Sequence, residues 1–110
     1  MVQHSALDTS FAALADPTRR GILQRLGRGA STISDLAEHF EMTLTGIKKH
    51  VHLLEVAGMV VTEKRGRVRY CMLGANPLER EVAWIRDYQT SLQGRLDRLD
   101  EFLTRTEGTS

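Results

Sequence analysis

Between positions 43 and 57 the chain places Thr45, Lys48, Lys49, His52 and Glu55 at spacings that one side of a helix would gather. Leu44, Ile47, Val51 and Leu54 fall on the opposite side, spaced 3, 4 and 3. Short hydroxyls and long cations in such a row donate hydrogen bonds to an acceptor-rich, anionic surface; they do not make or break covalent bonds. A second group follows at Lys64-Arg65-Gly66-Arg67, three cations around one glycine. Hydrogen-bond donors on a helix suit base edges and phosphates in a major groove, and cations on a loop suit the neighbouring backbone or minor groove. Taken singly, a lysine-bearing helix face or a charged loop tip is an ordinary solvated feature. Their order along the chain is what makes them informative.

The elements that must carry these groups are legible from their punctuation. Ser5, with Asp8 three residues on, opens a first helix with Leu7, Phe11 and Leu14 on one face. Asp16-Pro17 reads as N-cap and N1 proline of a second helix, whose inward residues are Ile22, Leu23 and Leu26 and which Gly27 and Gly29 stop. Thr32 with Asp35 starts a short third helix with Ile33, Leu36, Ala37 and Phe40 inward. Glu41-Met42 is a tight link to the fourth helix, capped by Thr43 and ended near Gly58. Gly46 costs that helix roughly 1 kcal/mol against alanine and points to a close approach, to DNA or to the third helix. Met59 to Glu63 and Val68 to Leu73 then read as the two strands of a hairpin with Gly66 at the positive-φ position. Asn76-Pro77-Leu78-Glu79 supplies a cap, an N1 proline and a capping-box acid for a last helix of about 26 residues. Gly108-Thr109-Ser110 is expected to fray.

Composition bounds the function classes. With 110 residues, 41% apolar and 26% charged, the chain suits one small domain with an appended element. We divide it into residues 1–75 and 76–110. No apolar run is long enough for a membrane span, the opening residues lack the pattern of a secretory leader, and a single cysteine, Cys71, excludes an internal disulfide, so the cytoplasm is expected. Net charge is +1, but residues 41–73 carry +3 and residues 74–110 carry −2. A basic middle is a footprint nucleic acid can use. No nucleophile elbow, HExxH, phosphate-binding glycine loop or paired-cysteine motif occurs, so no enzyme is expected.

The element order is helix, helix, helix, tight turn, helix, hairpin, long helix: a mostly α chain on the plan of a winged helix-turn-helix. Thr43 is then both N-cap and phosphate donor, and Thr45, Lys48 and Lys49 read base edges or phosphates. Lys64, Arg65 and Arg67 reach the backbone or minor groove, while Arg19 and Arg20 add phosphate contacts early in the second helix. His50 is expected as a partly buried contact beneath the fourth helix, and His39 as exposed.

Ala13-Leu14-Ala15-Asp16-Pro17-Thr18-Arg19-Arg20-Gly21-Ile22-Leu23 resembles the opening signature of ArsR-type bacterial transcriptional regulators. Met42 through Val51, followed by Leu54-Glu55-Val56-Ala57-Gly58-Met59-Val60, is similar to that family's recognition helix and its exit, and Arg65-Gly66-Arg67 with Tyr70 to its wing. The similarity spans roughly residues 6–75. It implies a homodimeric DNA-binding regulator, usually a repressor of its own operon. It further implies base or backbone contacts from Thr43, Thr45, Gly46, Lys48 and Lys49, with His50 and His52 near the phosphates. Two departures stand out: relatives often carry a small polar residue where Lys48 stands, and Gly46 commonly aligns with alanine. Many relatives sense metal ions through cysteines in the third helix or His/Asp sets in the last. Here the third helix has no cysteine and the last has neither cysteine nor histidine. His50 and His52 diverge on a helix, His4 with Asp8 makes only two ligands, and Cys71 reads as packing, so no metal and no cofactor are expected.

The last helix carries an apolar seam at Leu78, Val82, Ile85, Leu92, Leu96, Leu99 and Leu103, interrupted only by Gln89, with Trp84 and Tyr88 beside it. At 1.5 Å per residue it extends roughly 39 Å, more than its own small head can cover. A two-fold partner is expected, pairing this seam with Leu7, Phe11 and Leu14 of the first helix. It would also supply a second reading helix roughly 34 Å away, for a palindromic operator in double-stranded DNA. Two rivals are an effector-responsive sensor-repressor with a metal or small-ligand site at the dimer seam, and a protein-interaction module that no longer binds DNA.

Overall fold

The computed structural model describes residues 5–107. His4 and the tail Gly108-Thr109-Ser110 lie outside the described residues. The elements in chain order are α1 (Ala6–Leu14), α2 (Pro17–Leu26), β1 (Ser31–Thr32), α3 (Ile33–His39), α4 (Leu44–Val56), β2 (Val60–Arg65), β3 (Val68–Leu73) and α5 (Glu79–Glu107).

Side-chain oxygens start the first four helices. Ser5 and Asp8 form a reciprocal capping box on α1, at 3.1 and 3.3 Å. Asp16, Thr32 and Thr43 each accept the backbone N–H three residues on, at 3.0, 3.0 and 3.1 Å, and each such cap stabilises its helix by about 1 kcal/mol. The short helices end as firmly as they begin. At the end of α4, Met59 N–H returns to the Leu54 carbonyl and Gly58 N–H to Glu55, with Gly58 at φ 77°. The same double bond closes α3, from Met42 to Ala37 and Glu41 to Glu38. There the left-handed residue is Glu41, at φ 53°.

Ile22, Leu26, Leu36, Ile47, Leu54, Met59, Val60 and Cys71 form the core of the first compact unit, Met1–Leu78. Within it Phe40, just past the end of α3, lies against α2: a Cβ added at Gly21 would sit 2.8 Å from its ring. The second unit holds α5. Among the described residues no helix is long and apolar enough to cross a membrane.

The structure corrects the sequence reading at four places. The sheet has three strands, in the order β1-β3-β2, because Ser31 and Thr32 pair antiparallel with Cys71 and Tyr70. Two residues are too few to show an alternation, and Thr32 already served as a helix cap. The first hairpin strand runs on to Arg65, leaving only Gly66 and Arg67 in the loop before Val68, with Gly66 at φ 65° as a two-residue II′ turn demands. Leu44 is 49% exposed and not part of the inward stripe, since it sits in the first turn of α4 beyond the reach of the core. α5 begins at Glu79, not at Pro77, because Asn-Pro can equally open a turn, and residues 77–78 do so. It also runs four residues past Leu103, with no glycine or proline before Gly108 to stop it.

Candidate nucleic-acid interface

α4 presents two faces. Ile47, Val51 and Leu54 are buried, while Thr45, Lys48, Lys49 and His52 are exposed. Thr43 is exposed and its hydroxyl oxygen holds the Gly46 N–H. Gly46 is crowded by the turn before the helix and not by α3: an added Cβ would lie 3.1 Å from the Met42 methyl and 3.2 Å from Thr43 Oγ1.

Behind α4 stands the hairpin. Lys64 and Arg69 are cross-strand partners, and Lys64 alternates with Thr62, whose hydroxyl donates to Glu55 of α4 at 2.9 Å. Lys64 and Arg69 therefore lie on the side of the sheet that faces the helix. Lys48 and His52 from α4, and Lys64, Arg67 and Arg69 from the hairpin, line a groove of about 530 Å³, with Thr32 and Ser34 of the β1–α3 junction at its edge. Glu55 is the carboxylate in that lining, and its hydrogen bond to Thr62 draws it toward the sheet. A cleft with four Lys or Arg side chains against one carboxylate attracts a polyanion.

Four expected contacts sit elsewhere. Arg65 occupies the other face of the hairpin, hydrogen-bonded to Glu63 at 3.1 Å with its guanidinium 5.1 Å from the Tyr70 ring centroid. The Glu63 carboxylate raises the Arg65 pKa further. Arg19 is committed to the protein: Nε donates to the Ala13 carbonyl at 2.8 Å and Nη2 to Ala12 at 3.1 Å, while Nη1 meets His50 Nδ1 at 3.1 Å. Arg20 is exposed but hydrogen-bonds the Leu14 carbonyl at 2.7 Å. His50 thus faces the α1–α2 corner, with Asp16 Oδ2 3.9 Å away, and not the side that bears Lys48 and His52. The Arg19 backbone N–H, the largest influence on Asp16, keeps that carboxyl below its ordinary range.

Arg69 was missed among the candidate contacts. Counting one pair back from the turn, past Arg65 and Val68, would have found it opposite Lys64. On the first helix Leu7 and Phe11 are half-buried, and Leu14 packs against the core of its own unit. Leu78, Val82, Ile85, Leu92, Leu96, Leu99 and Leu103 are all exposed.

Two short helices across a tight turn, a hairpin behind the second and a cationic cleft between them define a winged helix-turn-helix. Residues 14–63 match the model of a helix-turn-helix domain. The chain is 32% identical over 82 residues to the transcriptional repressor SdpR of Bacillus subtilis, covering 74% of this chain and 91% of that one. A crystal structure of an ArsR family transcriptional regulator is 44% identical with a TM-score of 0.76, over 81% of this chain and 98% of that one. The homodimeric winged helix-turn-helix DNA-binding domain Mb0332 from Mycobacterium bovis, 21% identical, shares the fold at a TM-score of 0.64 over 82% and 83% of the two chains. The chain belongs to the ArsR family of transcriptional regulators.

Among the described residues no three His, Cys, Asp or Glu side chains are grouped to hold a metal ion. His50 and His52 point to different surroundings, and Cys71 is fully buried. Burial, with the Glu55 charge adding to it, pushes the Cys71 thiol up to about 11.

Proposed function

We propose that this chain is a homodimeric, cytoplasmic repressor and not an enzyme, which reads a palindromic site in duplex DNA with α4 in the major groove and the hairpin on the adjoining backbone or minor groove. The observation that carries this reading is the cleft in which Lys48 and His52 of α4 face Lys64, Arg67 and Arg69 of the hairpin. Thr43, Thr45, Gly46 and Lys49 lie on or beside the same outward surface and complete the contact set. Arg65, Arg19, Arg20 and His50 are weaker candidates, because each is already engaged by protein groups.

Dimerisation rests on α5. Leu96 and Leu99, 58% and 54% exposed, continue a seam with Val82, Ile85, Leu92 and Leu103 that a single chain leaves wet. A second copy would cover it, and Leu78 with the half-buried Leu7 and Phe11 are further candidates for that interface. The homodimeric state of Mb0332, a protein of the same fold, supports that assembly.

The reading is tested by selecting duplexes from a random-sequence pool with the purified chain, then titrating the best of them by fluorescence anisotropy against a scrambled duplex. A specific duplex with two-fold symmetry is expected, bound by a protein whose mass by light scattering is that of two chains. A monomer, or equal affinity for both duplexes, would falsify it.

A further inference from the structure

We infer that Arg19 is a positioning residue of the reading helix: its guanidinium holds α4 at a fixed roll through His50, and does so without touching nucleic acid. The inference rests on α4 being the helix that enters DNA.

α1 ends at Leu14 with no basic side chain in its last turn, so its final carbonyls and the negative end of its dipole need a partner from elsewhere. Arg19, at the start of α2, supplies one. Two of its N–H groups bind the Ala12 and Ala13 carbonyls, at 3.1 and 2.8 Å, which fixes the plane of the guanidinium. The remaining arm reaches His50 Nδ1 at 3.1 Å. A guanidinium only donates, so that ring nitrogen accepts and the ring proton sits on Nε2. Asp16 Oδ2, 3.9 Å from the same nitrogen, stands on the other side of this corner.

His50 lies in the middle of α4, with its side chain 19% exposed and Lys49 beside it in sequence. The rest of the inward face, Ile47, Val51 and Leu54, is aliphatic and grips without direction. Such contacts tolerate small rotations of a helix. The Arg19–His50 bond is directional and does not. At a side-chain radius of about 5–6 Å, a roll of roughly 20° carries the lysine-bearing edge some 2 Å, enough to misplace a hydrogen bond to a base.

The test uses the full chain, a duplex selected by it and a scrambled duplex, titrated from low to high salt. Arg19→Lys and His50→Leu should each weaken the selected duplex about 10- to 100-fold, the range for losing a hydrogen bond to a charged group. The scrambled duplex should bind as to wild type, with an unchanged slope of log K against log salt. His50→Gln, whose amide oxygen can accept from Nη1, should restore the affinity. Arg19→Ala lowering the slope by about 0.9 would make Arg19 a phosphate ligand and overturn the inference. Equal losses on both duplexes that follow the unfolded fraction by circular dichroism would overturn it as general destabilisation, and so would no loss at all. A wild-type chain that binds neither duplex overturns the reading of α4 and this inference with it.

Discussion

The Glu55 carboxylate accepts a hydrogen bond from the Thr62 hydroxyl at 2.9 Å, which ties the last turn of α4 to the first half of β2. The helix and the hairpin that face one another across the cationic cleft are therefore joined by a side-chain bond as well as by the chain. Thr62→Val keeps the shape and removes the donor, leaving a half-buried carboxylate without it. Stability should fall by about 1–2 kcal/mol, read as a lower urea midpoint with unchanged m. An unchanged midpoint would show that water replaces the bond at no cost.

Arg69 and Arg65 should behave differently although only three residues separate them. Arg69 lines the cleft, so Arg69→Ala should weaken every duplex and flatten the salt dependence by about 0.9. Arg65 is held by Glu63 and Tyr70 on the opposite face, and Arg65→Ala should leave that slope nearly intact. The reverse ranking would place DNA on the other side of the hairpin.

Glu41 holds a left-handed conformation at φ 53° in the turn between α3 and α4. A side chain there costs roughly 1–2 kcal/mol, of which glycine recovers part after its own entropy loss. Glu41→Gly should stabilise the fold by about 0.5 kcal/mol, seen as a higher melting temperature with no change in DNA affinity. A lower melting temperature would mean that the Glu41 side chain contributes something the backbone geometry does not reveal.

Cys71 binds its proton more tightly in the folded chain than in the unfolded one, since burial first and the Glu55 charge second raise its pKa to about 11. Its contribution to stability is thus fully present below about pH 8.5 and is lost as the pH climbs toward 11. Urea midpoints at pH 8 and pH 10.5 should diverge for wild type and converge for Cys71→Ala. Alkylation by iodoacetamide at pH 7.5 should be slow until denaturant is added; equal rates with and without it would contradict the burial.

Most of the helical skeleton was legible because it is written in local chemistry. Ser5, Asp16, Thr32 and Thr43 act as caps through bonds that span three residues, and sequence spacing reports such bonds directly. The inward stripe of α4 was legible from Ile47 onward. Leu44 misled because the core ends before the helix does. β1 was hidden, as its partner lies some forty residues away and pairing of that kind leaves no local mark. The candidate site was half visible. Exposed lysines follow from helical periodicity, but which face of a hairpin a cation takes depends on register, so Arg65 and Arg69 exchanged places. Arg19 looked available because charge is visible in a sequence and its three internal acceptors are not.

The base of the hairpin is pinched between two glycines. Gly74 N–H donates to the Met59 carbonyl at 2.9 Å, and a Cβ at Gly74 would stand 2.9 Å from the Gly58 oxygen. Beyond that pinch Thr62 is tied to α4, Tyr70 and Cys71 pair with β1, and Cys71 is in the core; the stretch without such ties runs from Glu63 to Arg69. An engineer could therefore swap or lengthen this stretch as a cassette, in steps of two residues per strand, and change how far the finger extends while the helical scaffold keeps its own coordinates. The two glycines, Thr62, Tyr70 and Cys71 would have to be left in place.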